Sequence, residues 1–367
     1  MENLVSLARF RKHFEGKKVL LTGHTGFKGS WLLQLLARCN ASITGLALAP
    51  EEPSLYHQIE GDTLCKSILH DLRDADFVIN LIEEIQPDFI FHLAAQPLVL
   101  DSYQRPLYTF EVNAIGTAHV LEGLRKVNKP CIAIMITTDK VYENKEQGTL
   151  FQENDKLNGY DPYSASKAAS EIVISSYIHS FFNPKEFTQH QKKIVALRAG
   201  NVIGGGDYAA NRIIPDIIKA VKQQEDVVLR NPDAVRPWQH VLEPLAAYLL
   251  VAVELAEANS VVNTAYNVGP EKSDVLSVEF LTQTAIEAMQ RGSYRIERNE
   301  QAPHEAGLLM LSIDRIKQDL HWEPRWNAKT AIQKTVEWYL SEEDASVKCL
   351  QQIQDYFQDI INDSDDY

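Results

Sequence analysis

Only four cysteines occur in the 367 residues, Cys39, Cys65, Cys131 and Cys349, and no two form a CxxC pair. That spacing argues against a disulfide framework or a zinc site, so no metal is expected, and the thiols read as reduced packing groups. No uncharged apolar run approaches the roughly 18 residues that cross a bilayer. The opening MENLVSLARFRKHFEGKK lacks the continuous apolar core of a secretory leader. The expectation is a cytoplasmic chain with no membrane partner. Positive charge is also in the minority, 36 Lys and Arg against 50 Asp and Glu, for a formal charge of −14. A net-acidic surface repels phosphate backbones, which argues against nucleic acid but leaves room for a small anion held by local arginines. There is no internal repeat and no low-complexity block.

What is present is a series of continuous apolar runs: KKVLLTG (17–23), ASITGLALA (41–49), PDFIFHLAA (87–95), CIAIMITT (131–138) and KKIVALRAG (192–200). Runs of this kind, in place of alternation, predict parallel strands covered on both faces. Helix-like segments such as GSWLLQLLARCN and SASKAASEIVISSYIHSFF separate them. The fold class expected is therefore α/β, a doubly wound, Rossmann-like parallel sheet with a smaller mixed α/β C-terminal lobe. Residues 1–200 are assigned to a dinucleotide-binding domain, joined by a returning strand near 264–270. Residues 201–350 are assigned to the second lobe and 351–367 to an acidic tail.

After the first strand comes TGHTGFKG, with Gly23, Gly26 and Gly29 opening into a helix. Such a turn allows a tight bend, close backbone approach to a pyrophosphate and close helix–strand packing. The acid that usually selects NAD at the end of the second strand is not evident in LALAPEEP. Lys28 and Arg38 are candidates for a 2′-phosphate, with solvated surface charge as the competing reading. Farther on, Tyr163 and Lys167 of YSASK stand four residues apart and share a helix face. A tyrosine acting as a base at neutral pH must drop about three units from its usual value near 10. That is about 4 kcal/mol, which one ammonium about 4 Å away supplies at an effective dielectric near 20.

Together TGHTGFKG, FHLAAQP, TTDKVY and YSASK resemble the extended short-chain dehydrogenase/reductase enzymes that act on nucleotide sugars, over nearly the whole chain. The resemblance implies NAD held by Gly23, Thr25, Gly26, Phe27, Gly29, Asp71, Leu72, Ala94, Gln96, Asn113 and Thr137, together with Tyr163 and Lys167. It implies that Thr138 binds the sugar 4-hydroxyl, that Tyr163 takes its proton, and that hydride leaves C4 for the nicotinamide. Asp139 and Lys140 add a second acid–base pair. A 4-epimerase has no use for one, whereas a 4,6-dehydratase must remove the C5 proton and protonate the departing C6 hydroxyl. The resemblance makes Asp139 the acid and Lys140 the candidate C5 base. Consecutive strand residues point to opposite faces, so both reach a sugar only if the strand has ended by Asp139.

In the second half, RAGNVIGGGD, NRIIPD, RNPDAVRPWQHVLEP and PHEA resemble the CDP-glucose 4,6-dehydratases of deoxysugar, dideoxysugar and O-antigen biosynthesis. Arg212, Arg230 and Arg236 suit a pyrophosphate because the guanidinium fork matches phosphate oxygens. By motif, Asn201 is placed at the sugar–phosphate and Gln239 or His240 in the nucleotide lobe. Core packing is the competing reading for Trp238 and His240. The resemblance implies CDP-glucose as substrate, a hydro-lyase reaction and a homodimer. QPLVLDSY departs from the pattern, with Leu100 and Asp101 where an arginine is expected. HDLRD departs with His70 in place of glycine. The loop before YSASK lacks the expected tryptophan and arginine. The alternatives are a dehydratase or 4-epimerase for another nucleotide sugar, and a non-catalytic dinucleotide sensor.

Overall fold

Apolar runs with no polar face must be covered on both sides, and they become the middle of one sheet. The computed structural model describes residues 5–145, 147–210, 212–258, 263–298 and 309–357. Its sheet comprises β1 (Lys18–Thr22), β2 (Ser42–Ala47), β3 (Lys66–Leu69), β4 (Phe89–His92), β5 (Cys131–Thr138), β6 (Lys192–Ala199) and β7 (Ala265–Val268). All pairs are parallel, in the order β7-β6-β5-β4-β1-β2-β3. The order reverses between β1 and β4, where the loops at the strand ends part and leave a crevice. Every residue of β4, β5 and β6 is buried. The returning strand lies beside β6, with Ala265 opposite Ala196. Strand β3 escapes the sequence reading because this edge strand, KSIL, has no buried residue and hence no apolar run.

Two apolar clusters cover the two faces of the sheet. The smaller joins Leu20, Ile90 and Met135 to Val120 and Ile174. The larger runs from Leu21, Phe91 and Leu197 through Ile217, Leu249 and Trp322 to Ile353, so one core continues across residue 200. The second-lobe segments are tied by short ladders: Val202–Ile203 with Gln239–His240, Val235–Pro237 with Val275–Ser277, and Val227–Leu229 with Tyr294–Ile296. The motif PHEA lies outside the described residues. No helix among the described residues is long and apolar enough to cross a membrane.

Six helices matter below: α1 (Leu7–Phe14), α2 (Phe27–Arg38), α3 (Pro162–Phe181), α4 (Ile213–Gln223), α5 (Leu242–Glu257) and α6 (Ala345–Phe357). Helix α3 starts where proline at its first turn and the Asp161 cap dictate, the carboxylate accepting from the Ser164 N–H at 3.0 Å. Helix α6 corrects the expected tail boundary at 351. Cys349, Gln352, Ile353, Tyr356 and Phe357 repeat at helical spacing and are buried, a period disguised by glutamines. The Tyr356 hydroxyl donates to Glu243 at 2.8 Å, and the Phe357 ring meets Phe10 edge-on. Glu243 also accepts from the backbone N–H groups of Arg325 and Trp326, while burial pushes its carboxyl up to about 7. Residues 358–367 lie outside the described residues.

Candidate active site

The glycine turn is forced by contact. Gly23 has φ +77°, and a Cβ there would lie 2.8 Å from the Ala94 nitrogen. At Gly29 a Cβ would lie 2.0 Å from the Gly23 carbonyl oxygen. Gly26 caps α2 with no side-chain hydrogen bond and is open, so the backbone donors of the first turn remain for an anion. Thr25 donates its hydroxyl to the Leu48 carbonyl at 2.9 Å, and Phe27 reaches towards Gly204. His24 is buried against Gly45 and bonded to Ser67, and burial holds it down at about 4, hence neutral. This open-capped turn fits a dinucleotide diphosphate.

The other residues assigned to the cofactor separate into two groups. Ala94 donates its N–H to Thr22, next to the turn. Gln96 and Asn113 lock to each other, the Gln96 N–H donating to Asn113 Oδ1 at 2.8 Å and Asn113 Nδ2 to the Gln96 carbonyl at 3.1 Å and Ser166 Oγ at 2.8 Å. They clamp the loop after β4 onto α3. The Asp71 carboxylate is engaged by Arg73 at 2.8 Å, and Leu72 is core, packed beneath Gly116. His70 stacks on Phe77 and bonds Asp74. At the other departure, Asp101 pairs with Arg105 at 2.7 Å and Leu100 stays exposed.

Strand β5 stops at Thr138, and Asp139–Val141 form a single 3-10 turn. That turn removes the opposite-face problem. Asp139 is 1 % exposed, and its Oδ1 accepts the Thr138 hydroxyl at 3.0 Å. Lys140 Nζ lies 3.8 Å from the same oxygen and donates to Asn201 Oδ1 at 3.3 Å. Asp139 Oδ2 is buried with no hydrogen-bond partner and faces Gly200, whose Cβ would stand 3.4 Å away. A buried polar atom without a partner is uncommon, and catalytic positions are one place where it occurs.

Tyr163 and Lys167 share the inner face of α3 as predicted, but the electrostatics are reversed. Burial first, then the Asp139 charge, raise Tyr163 to about 12, against the hydrogen bond with Thr138 and the charge of Arg212. Lys167 sends its ammonium to the Ile136 carbonyl at 3.1 Å, and burial lowers it to about 8. Below them lies a network not recognised from sequence. Glu171, one turn beyond Lys167, accepts from Thr137 and is gripped by Arg198 at 3.0 and 2.8 Å; Arg198 also donates to the Tyr142 hydroxyl at 2.9 Å. The repeat of Tyr163, Lys167 and Glu171 at four-residue spacing, with an arginine inside an apolar strand, was the available signal.

Among the residues assigned to substrate, Asn201 faces Lys140, and Arg212, paired with Asp207 at 2.8 Å, lies within electrostatic reach of Tyr163. Arg230 is exposed, and Arg236 is buried and donates to the Val235 carbonyl. Gln239 is buried with its amide oxygen unpaired. His240 is a correction: it is fully buried between the edges of Trp31 and Trp326, held down at about 3, and is a packing histidine. Lys28 is another, since it turns inward from α2 to the Tyr248 hydroxyl of α5 at 3.4 Å. A cavity of about 980 Å³ lined by Tyr208, Lys219, Trp338 and Lys348 contains none of the reactive residues, so the side-chain cluster and not cavity size locates the chemistry.

Comparison with known proteins identifies the family. Residues 20–335 match the GDP-mannose 4,6 dehydratase family. The chain is 40% identical over 350 residues to the CDP-glucose 4,6-dehydratase of Salmonella typhimurium, covering 94% of this chain and 98% of the relative. It is 27% identical to a dTDP-glucose 4,6-dehydratase of Escherichia coli, covering 89% and 94%. Among solved structures, Thermus thermophilus UDP-glucose 4-epimerase complexed with NAD superposes with a TM-score of 0.73 at 25% identity, covering 89% of this chain and 100% of that one. A Bacillus anthracis dTDP-glucose 4,6-dehydratase in complex with NAD shares the fold, with a TM-score of 0.74 at 20% identity, covering 90% and 98%. The chain belongs to the GDP-mannose 4,6 dehydratase family, within the extended short-chain dehydrogenases/reductases.

Proposed function

We propose that the chain is an NAD-dependent CDP-glucose 4,6-dehydratase, a hydro-lyase that forms CDP-4-keto-6-deoxyglucose and water. The observation that carries this is the acid–base pair Asp139–Lys140, set on one turn directly after Thr138 and facing the same site as Tyr163. Residues 1–200 with β7 serve the cofactor, and residues 201–350 the nucleotide sugar. NAD, held at the Gly23–Gly29 turn, supplies the hydride acceptor for C4 and the donor for C6 of the same sugar.

Thr138 orients the 4-hydroxyl and Tyr163 takes its proton. A phenol near 12 is protonated at neutral pH, so its ionisation draws on the surrounding cations, chiefly Arg212. With C4 at the ketone level the C5 hydrogen is acidified, and the Lys140 amine, steadied by Asn201, removes it. Asp139 gives a proton to the departing C6 hydroxyl, which leaves as water. Thr138 holds one carboxyl oxygen, and the other lies against Gly200 with no hydrogen-bond partner, free to act.

Incubating the protein with NAD and CDP-glucose in deuterated water tests this. The expected product is a 4-keto-6-deoxy sugar carrying deuterium at C5, read by NMR. Lys140→Met should lower the yield of that product by roughly a hundredfold or more, the usual scale of a general base. Product without C5 deuterium removes the elimination, and a Lys140→Met variant that labels C5 at the normal rate removes Lys140 from the role.

The homodimer belongs to this proposal. Leu107 is 72% exposed and Ile172 62%, and with Ile115 and Phe181 they leave apolar side chains exposed along packed helices. Large exposed apolar groups in one region mark an interface, and a second copy of the chain is the occupant. Sedimentation should give a dimer for the native chain and a monomer for Leu107→Glu with Ile172→Glu. A native monomer refutes it.

A further inference from the structure

From the glycine turn, Lys28 extends to within electrostatic reach of the reactive residues Lys167 and Asp139. Its Nζ lies 3.4 Å from the Tyr248 hydroxyl and 5.8 Å from that ring's centre. Its contact is Tyr248 from α5, and the charges that act on it are Arg212 before α4, Lys167 from α3 and Asp139 from the turn after β5. No carboxylate pairs with it among the described residues. With Lys28, the cations Lys167 and Arg212 stand against two carboxylates, Asp139 and Asp207, the latter 2.8 Å from Arg212. Glu171, the next acid along, is taken by Arg198. In a chain with formal charge −14, a local surplus of positive charge is a feature of the site, and such a surplus suits an anionic diphosphate.

We infer that Lys28 binds an oxygen of a diphosphate ligand and so positions that ligand against the glycine turn. The inference rests on the dehydratase reading, in which NAD and CDP-glucose each bring a diphosphate. Burial, then the neighbouring cations Arg212 and Lys167, lower the Lys28 ammonium to about 7. The cation is therefore present below that pH and lost above it. Bound phosphate favours the ammonium, so affinity should fall as pH rises through about 7. Lys167, lowered to about 8, titrates nearby, and the comparison between variants cancels it.

The test is calorimetric titration of the full chain with NAD, with CDP and with CDP-glucose at about pH 6 and about pH 9. The native protein is compared with Lys28→Met and Lys28→Arg. Lys28→Met should weaken one diphosphate ligand roughly tenfold or more, the scale of a charge-assisted hydrogen bond. Lys28→Arg should keep the low-pH affinity and lose much of the fall at high pH, because arginine stays charged. Loss confined to NAD assigns the cofactor diphosphate, and loss confined to CDP and CDP-glucose assigns the substrate diphosphate. Variants that match the native protein for every ligand at both pH values overturn the inference. If Lys28→Met does not fold, the pH response of Lys28→Arg decides alone. A native protein that binds NAD but converts no nucleotide sugar sinks the dehydratase reading, and the NAD titrations still decide Lys28.

Discussion

Tyr163→Phe should lower turnover by roughly a hundred- to ten-thousandfold, the range spanned by loss of a positioned general acid–base group. The fold and NAD affinity should be nearly unchanged. Only the hydroxyl is lost, while the backbone N–H of residue 163 keeps its bond to Ser102 Oγ at 3.1 Å. The ring continues to occupy the first turn of α3. Because burial sets Tyr163 at about 12 in the ligand-free chain, its titration should stay outside the neutral range in a spectrophotometric pH series of the free protein. Steady-state rates beside a melting curve and an NAD titration make the check. Activity within tenfold of the native protein would move the proton to another group, and a variant that also loses NAD would mean that the hydroxyl holds cofactor.

Arg198→Met should be the most destabilising single change among the site's supports. The Arg198–Glu171 pair is almost wholly buried, with side chains 6% and 4% exposed. Removing the guanidinium leaves a buried carboxylate with no cation, which typically costs about 3–5 kcal/mol. That is a large share of the roughly 5–15 kcal/mol that holds a domain together. It also frees the Tyr142 hydroxyl and the Glu153 carbonyl, both acceptors of Arg198 at 2.9 Å. Urea unfolding should show the loss as an earlier midpoint. Adding Glu171→Leu to Arg198→Met should recover part of it, because the stranded charge is then gone. A double variant no better than the single one would show that lost packing and not the unpaired carboxylate sets the cost.

Most of the sheet was legible in the sequence because six of its strands are buried runs whose only physical home is a covered sheet. The seventh, β3, was not, since an edge strand with Lys66 and Ser67 needs no apolar stretch. Helix α6 was hidden for a related reason: its buried stripe includes Gln352, so residue type misreported burial. At the site, Thr138, Asp139, Tyr163 and Lys167 could be named because a motif places them on a strand end and a helix face. The direction of the Tyr163 shift could not be named. It depends on how deeply the ring is buried and on Lys167 bonding to Ile136, and neither is a property of spacing. The same holds for Lys28, whose residue type suggested a surface charge and which the packing turns inward, and for His240, where residue type allowed a ligand role and the packing decided otherwise.

Arg325 donates one nitrogen to the Tyr356 carbonyl at 2.8 Å and another to the Val5 carbonyl at 3.0 Å, while Phe10 meets Phe357. The chain's beginning is thus sealed by nearly its last described turn. At roughly 5–20 residues per second, a ribosome needs on the order of tens of seconds between the two. Throughout that interval Phe10 has no Phe357 to close over it, so the nascent chain carries an unsealed apolar seam until residue 357 has been made. Closure of this part of the core therefore waits for α6, and a chain cut within α6 would leave Phe10 without Phe357 while the Val5 carbonyl, Arg9 and Phe14 kept their partners.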